Sequence, residues 1–162
     1  MFAAAAIPKL LGDQILDRNL ARRAVTVNPA TTTKATGRIE VQTYEPQAYE
    51  APENGPQLVE IHVTEKFSGD IEGQGAVRFL QAIRGDGSAS FVGIERVTGR
   101  IGDRNGSFLL QDAGTLEGST VSGEWFVIPG SGTGELAGLR GEGGFEAELG
   151  QHALITLDYW FE

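Results

Sequence analysis

From Ala35 onward, apolar side chains recur at every second position, a period typical of β-strands that bury one face. In the first such segment, Ile39, Val41 and Thr43 alternate with charged and amide residues. The pattern predicts eight strands: Thr36–Tyr44, Leu58–Phe67, Gly75–Arg84, Ser88–Arg100, Ser107–Leu116, Thr120–Ile128, Gly143–Glu148 and His152–Phe161. No alternation of strands with helices follows Ala35, which excludes Rossmann and TIM-barrel architectures.

Short turns that contain glycine separate most of the predicted strands. Gly85-Asp86-Gly87 is a typical hairpin turn, and Gly102 to Gly106 contains Asn105-Gly106, another strong turn signal. Glu45 to Gln57 carries three prolines, so we predict a long surface loop there. Strands joined in this up-and-down order protect their edges by closing on themselves. The prediction is therefore an all-β fold, a closed eight-stranded antiparallel β-barrel.

The most glycine-rich stretch runs from Pro129 to Phe145. Glycine is the residue best suited to sharp reversals and close backbone approach. Strand-like sequence lies on both sides, so we predict a long strand-to-strand connection that covers one end of the barrel. Within it, Glu135 to Leu139 predicts a single helical turn.

Residues 1–34 differ in composition from the rest of the chain. They hold five basic and two acidic residues, although the whole chain carries a net charge of −9. Apolar residues recur every three to four positions in residues 3–24 and predict an N-terminal helix, followed by a linker arm. The helix is an amphipathic lid or docking helix, a targeting peptide, or a helix packed on the domain or on a partner chain. We assign 1–34 to this helix and arm, and 35–162 to the barrel domain.

Composition excludes several classes of function. The chain has no cysteine, which removes disulfides, thiol nucleophiles and zinc–thiolate sites. Its net charge of −9 argues against a general affinity for nucleic acid or anionic membranes. No segment has the roughly 18 uninterrupted apolar residues of a membrane span. Acidic residues in the predicted helix disfavour a secretory signal, and we expect a cytoplasmic protein.

Three runs in the barrel region resemble a known bacterial family. They are Phe91-Val92-Gly93-Ile94-Glu95-Arg96-Val97-Thr98-Gly99, then Gly106-Ser107-Phe108, then Pro129 to Gly141. The family consists of small proteins of unknown function and is similar to the allene oxide cyclase and dirigent barrel group. Gly132-Thr133-Gly134 followed by Arg140-Gly141 is also similar to the dirigent signature in the same connection. The resemblance covers about Ala35 to Glu162.

The resemblance implies a barrel of the allene oxide cyclase or calycin-like type, with one apolar cavity open at an end. It also implies a homo-oligomer, a dimer or trimer. Allene oxide cyclases close a ring on a reactive epoxide, and dirigent proteins steer radical coupling. Both hold a reactive molecule in one conformation without a metal or an organic cofactor, so the resemblance implies no cofactor here. No motif aligns the anchoring carboxylate of the cyclases with a position of this chain.

Polar side chains on otherwise apolar strand faces are the candidate site residues. When the more apolar face of each strand is turned inward, Glu65, Gln81 and Glu95 point into the barrel. Asp112 joins them if Phe108 and Leu110 point inward, and Tyr159 joins them together with Ile155 and Leu157. A carboxyl group in an apolar cavity has a raised pKa, so Glu65 and Glu95 are the candidate catalytic acid and base. The candidate substrate-binding residues are Phe67, Gln81, Phe91, Asp112, Trp125 and Tyr159.

The same residues have structural alternatives. Glu65 and Glu95 could pair with arginines at a barrel end or a subunit interface, and Trp125 and Tyr159 could be plain core aromatics. A register error of one residue would turn any of them to the opposite face. The two histidines of the chain have no partner at ligand spacing, so no metal site is predicted.

Three functions fit these observations. The first is a cofactor-independent cyclase or isomerase, of the kind found in secondary metabolism, that acts on an apolar small molecule. The second is a non-catalytic barrel that binds a small molecule or lipid. The third is an oligomeric barrel filled with its own side chains. A lumen below roughly 300 Å³ would favour the third.

Overall fold

The computed structural model describes residues 31–162, and this part of the chain contains nine β-strands and no helix. The strands are β1 (Thr33–Glu50), β2 (Gln57–Gly69), β3 (Ile71–Ile83), β4 (Ala89–Ile101), β5 (Arg104–Glu117), β6 (Thr120–Val127), β7 (Thr133–Gly134), β8 (Leu139–Glu148) and β9 (Ala153–Phe161). All except the two-residue β7 close an antiparallel ring, in the order β1-β2-β3-β4-β5-β6-β8-β9 and back to β1. The predicted eight-stranded antiparallel barrel is confirmed. The predicted N-terminal helix lies outside the described residues.

Tight hairpins join most neighbouring strands. Gly102 and Gly118 begin two-residue loops with φ of 59° and 60°, a left-handed backbone that favours glycine. The turn predicted over Gly102 to Gly106 is present but shorter than predicted, because β5 already begins at Arg104 and includes Asn105-Gly106. This dipeptide favours turns, but here it lies within a strand, because the pairing of β4 with β5 continues as far as Ile101 opposite Arg104.

β1 is longer than predicted, because its second half replaces the surface loop expected at Glu45 to Gln57. Residues 45–50 pair with β2, and Pro46 stands opposite Ile61. The pairing of β1 with β9 ends at Ile39, so within the described chain residues 40–50 have a strand on one side only. Proline is tolerated on such an edge, because its missing N–H is not needed for a second ladder.

The glycine-rich connection is shorter than predicted, because β8 begins at Leu139 and takes up the second half of it. Glu135–Gly138 form turns rather than the predicted helical turn, and Gly134 and Gly138 adopt φ of 62° and 80°. The connection holds the start of β5: Glu135 accepts a hydrogen bond of 2.9 Å from the Asn105 N–H. Leu136 is fully buried in the core, so the connection closes this end of the barrel.

The two ends of the barrel differ in packing. The closed end holds the main core, with fully buried Phe67, Phe108 and Leu136. Toward the other end, a smaller hydrophobic cluster is formed by residues of β2 and β3: Val59, Ile61, Val63 and Val77. The lumen is therefore filled at one end only. None of the described residues forms a helix long and apolar enough to cross a membrane.

Candidate functional site

Three carboxylic acids on three strands point into the barrel. Glu65 on β2, Glu95 on β4 and Asp112 on β5 are 9%, 2% and 1% exposed. Each follows the two-residue alternation of its strand, so the inward direction predicted for them agrees with their burial. Asp112 stands directly opposite Trp125 of β6.

Glu65 and Glu95 meet because the strand between them carries a glycine. Glu65 pairs with Gly75 of β3, and Glu95 pairs with the next inward residue of that strand, Val77. The Glu95 carboxyl group lies over Gly75, in the space that a side chain would otherwise fill. The two carboxyl groups are thereby joined by a hydrogen bond, in which Glu95 donates and Glu65 accepts.

Burial favours the protonated forms of all three acids, and repulsion by neighbouring carboxylates adds to this effect for Glu95 and Asp112. Burial raises the pKa of Glu95 well above its usual range, and the charges of Glu65 and Asp112 raise it further. Burial also raises the pKa of Glu65, partly offset by the hydrogen bond from Glu95. For Asp112, burial followed by the charge of Glu65 raises the pKa to about 7. Asp112 therefore exchanges its proton near neutral pH, beside two acids whose pKa values are also raised.

Three oxygen atoms of this cluster are buried without a hydrogen-bond partner in the described chain. They are Oε1 of Glu95 and both carboxyl oxygens of Asp112. The nearby Trp125 indole N–H donates elsewhere, to the Thr156 carbonyl oxygen at 3.0 Å. Neither glutamate forms an ion pair within residues 31–162, so the alternative of arginine partners is not seen in this part of the chain. Buried polar atoms are normally satisfied, so these oxygens mark a place where a ligand could donate.

A cavity of about 570 Å³ extends from these carboxyl groups to solvent. Its wall contains three aromatic rings beside Trp125, and each ring fills the space over a glycine of a neighbouring strand: Phe79 over Gly93, Phe91 over Gly114 and Phe145 over Gly123. At the outer end, Val41, Tyr44 and Leu149 line the cavity and are each more than half exposed. This mouth lies where β1 has no second partner strand.

The lining residues carry acidic groups but no lysine or arginine. The acids are Glu40, Glu65, Glu95, Asp112 and Glu148, and the single basic side chain in the lining is His152. The other histidine, His62, contacts Glu60 at 2.8 Å on the opposite face of β2. Between residues 31 and 162, no three acidic or histidine side chains are arranged to hold a metal ion.

The structure divides the predicted substrate-binding residues into two groups. Gln81, Phe91, Asp112 and Trp125 line the cavity, together with the two predicted catalytic glutamates. Phe67 lies beneath the lining, fully buried, with its ring centroid 6.5 Å from that of Trp125. Tyr159 lies near the closed end, edge-on to Phe161 at 6.1 Å, and does not line the cavity.

Sequence reasoning missed two rings of the wall, Phe79 and Phe145. Phe79 shares the inward face of β3 with Gln81, and Phe145 is the seventh of the ten residues of β8. The pattern that would have identified them is an inward glycine directly across from an aromatic residue, as Gly93 is from Phe79 and Gly123 is from Phe145. Their centroid distances, 5.1 Å for Phe79–Phe91 and 6.2 Å for Phe91–Phe145, make the wall continuous.

Substitution of Gly75 with alanine is expected to lower the free energy of unfolding by about 1–3 kcal/mol. A Cβ atom added there would lie 2.7 Å from Cε2 of Phe67 and would overlap Oε1 of Glu95. Urea denaturation measures the effect. Gly85→Ala is the matched control, because nothing lies within 4 Å of its Cβ position. Equal stability of the two variants would show that Gly75 is not what brings the glutamates together.

The barrel region is similar to proteins of one family. A family model described as "Protein of unknown function (DUF3224)" matches residues 35–159. A solved structure of a protein with unknown function from the DUF3224 family of Shewanella oneidensis MR-1 is 33% identical in sequence. The alignment covers 82% of this chain and 99% of that chain, with a TM-score of 0.70. No curated protein matches the chain.

Proposed function

Because the chain belongs to the DUF3224 family, whose description names no activity, we propose a function from the geometry of the lumen. The barrel binds an apolar small molecule and acts on it as a cofactor-independent cyclase or isomerase. Kinship with the allene oxide cyclase and dirigent barrels, and a role in secondary metabolism, belong to the same proposal. The closed antiparallel barrel with one open end supports it. A dimer or trimer stays a prediction.

The observation that carries the proposal is the set of three buried carboxyl groups at the inner part of an apolar cavity. Burying acids without partners is costly, and such groups usually serve chemistry or a ligand. Here three of their oxygens have no partner in the described chain. The volume of about 570 Å³ falls within the range of ordinary ligand sites, roughly 300–1,000 Å³, which argues against a barrel filled by its own side chains.

Glu65 and Glu95 supply an acid and a base in one hydrogen-bonded pair. Glu95 holds the shared proton and can donate it to a carbonyl or epoxide oxygen of the substrate, while Glu65 can accept a proton from carbon. Positioned acid–base catalysis contributes about 10²- to 10⁴-fold in rate. The aromatic wall holds the substrate in one conformation, and such orientation lowers barriers by up to roughly 7–11 kcal/mol.

A second candidate is a non-catalytic carrier of an apolar small molecule or lipid. The observation that favours it is the apolar mouth, where Val41, Tyr44 and Leu149 are 56%, 58% and 57% exposed. Such a mouth serves the uptake and release of a ligand whether or not chemistry follows. The two candidates therefore share the cavity and differ in what the carboxyl groups do.

Filling the cavity is expected to abolish ligand binding. Ala147→Trp places a large side chain in the lining, so the Kd for the neutral fluorescent probe N-phenyl-1-naphthylamine should rise at least about tenfold. Val121→Phe, a smaller change in the same lining, should give a smaller rise. Ala113→Trp is the control, because Ala113 is exposed on the outer face of β5. Equal binding by wild type and Ala147→Trp would place the probe outside the lumen.

The catalytic part of the proposal is tested with a probe ketone. General-base catalysis exchanges the hydrogens beside a carbonyl group for deuterium: the C–H bond breaks, an enol forms, and a deuteron from solvent replaces the proton. We choose 4-phenyl-2-butanone, which carries an apolar body and an acceptor oxygen. Exchange faster than in buffer alone supports the isomerase. Exchange at the buffer rate by a protein that binds the ketone supports the carrier.

A further inference from the structure

We propose that the natural ligand of the lumen is a primary amine, bound as an ammonium ion against Glu95 and Asp112, with an apolar body along the aromatic wall. This inference rests on the proposed function, because it specifies the class of molecule that the same cavity takes. It follows from three features of the lining: its charge, its unpartnered oxygens and its aromatic rings.

The charge of the lining excludes anionic ligands. Three buried acidic side chains, Glu65, Glu95 and Asp112, and no lysine or arginine line the cavity. A fatty acid or a phosphate ester would bring a negative charge beside acids that burial already disfavours as anions, with no lysine or arginine to compensate it. A neutral or cationic ligand avoids that cost, and a cation also neutralises the acids that it meets.

The unpartnered oxygens distinguish a cation from a neutral ligand. Oε1 of Glu95 and both carboxyl oxygens of Asp112 lack a donor, and both side chains are at least 98% buried. A hydroxyl group offers one donor, whereas an ammonium group offers three, the same number as these oxygens. Asp112, with a pKa of about 7, is partly ionised near neutral pH, and a hydrogen bond between an ammonium and its carboxylate is roughly twice as strong as a neutral one.

The rings beside the carboxyl groups are also suited to a cation. Trp125 stands opposite Asp112 in the sheet, and its ring centroid is 5.2 Å from that of Phe145. The faces of aromatic rings attract ammonium groups, and tryptophan attracts them most strongly. An ammonium ion near Asp112 would therefore meet acids and aromatic rings together, while the rest of the ligand stays on apolar surface.

Three probes with one skeleton test the inference: 4-phenylbutylamine, 4-phenylbutanol and 4-phenylbutyrate. Isothermal titration calorimetry near neutral pH should show the amine binding about 10- to 100-fold more tightly than the alcohol, with the carboxylate weakest. Asp112→Asn should bring the amine-to-alcohol affinity ratio below about threefold, because an amide removes the charge and keeps the shape. Glu124→Gln, an exposed change on the outer face of β6, should leave the ratio as in wild type.

The outcomes separate this inference from the proposed function. Three results would contradict the assignment of an amine as the ligand: equal affinity for amine and alcohol, tightest binding of the carboxylate, or an unchanged affinity ratio in Asp112→Asn. Each would leave the lumen as a site for other apolar molecules. Failure of all three compounds and of N-phenyl-1-naphthylamine to bind contradicts both proposals.

Discussion

Replacing Glu65 or Glu95 with glutamine is expected to slow the protein-catalysed exchange of the α-hydrogens of 4-phenyl-2-butanone by about 10²- to 10⁴-fold. Glutamine keeps the size of the side chain but neither accepts a proton from carbon nor delivers one to the carbonyl oxygen. The two acids share one hydrogen bond, so the double variant should be little slower than either single variant. Proton NMR in D₂O measures the loss of the methyl and methylene signals.

The control for this experiment is Glu124→Gln, which makes the same chemical change on the outer face of β6. It should exchange the ketone at the wild-type rate. Binding of the ketone is measured for each variant, so that a slow rate is not mistaken for an empty site. Wild-type exchange rates in both glutamine variants would contradict the acid–base role.

The free energy of unfolding is expected to fall as the pH rises from about 4 to 8, and Asp112 is expected to be a main cause. The pKa of Asp112 is about 7 in the folded protein, whereas its unperturbed value, taken for the unfolded chain, is 3.8. Between these values the folded state keeps a proton that the unfolded state has lost, so stability decreases with rising pH. The shift corresponds to a loss on the order of 4 kcal/mol once Asp112 is ionised. Glu65 and Glu95 change stability in the same direction.

Asp112→Asn should therefore flatten the dependence of stability on pH. The buried amide lowers stability at acidic pH relative to a protonated acid, so the informative quantity is the slope between about pH 5 and pH 8. Urea denaturation across this range measures it. The exposed Asp103→Asn serves as the control and should keep the wild-type slope. A wild-type protein whose stability is constant or rises over this interval would contradict the ionisation scheme of the three acids.

The closed barrel follows from the sequence because alternation of apolar residues repeats on every strand that closes it. The sequence-based prediction fails where residues that favour turns lie in a strand, either in a segment paired on one side only or in one held by local contacts. Pro46 predicts a loop by itself, but a strand edge with one neighbour accepts it. Asn105 and Gly106 predict a turn, but they pair with β4 inside a strand. Which segments will form such edges depends on the closed sheet and not on the local sequence.

For the candidate site, the sequence predicts which way a residue points better than how far along the barrel it lies. Glu65, Glu95 and Asp112 all point inward, as alternation requires. Phe67 also points inward, but it lies below the cavity, and Tyr159 lies beyond the lining residues. The depth of each residue depends on the stagger between strands, which a two-residue period does not contain. The meeting of Glu65 with Glu95 depends further on Gly75, a residue of the strand between them.

The central claim is that an apolar molecule enters the lumen and lies beside the buried acids. Intermolecular nuclear Overhauser effects from bound 4-phenyl-2-butanone test it most directly. We predict contacts from the ketone protons to the ring protons of Phe91, Trp125 and Phe145, which line the cavity. Contacts confined to Leu80, Val92 and Ile94, which are exposed on the outer face of the barrel, would contradict the account.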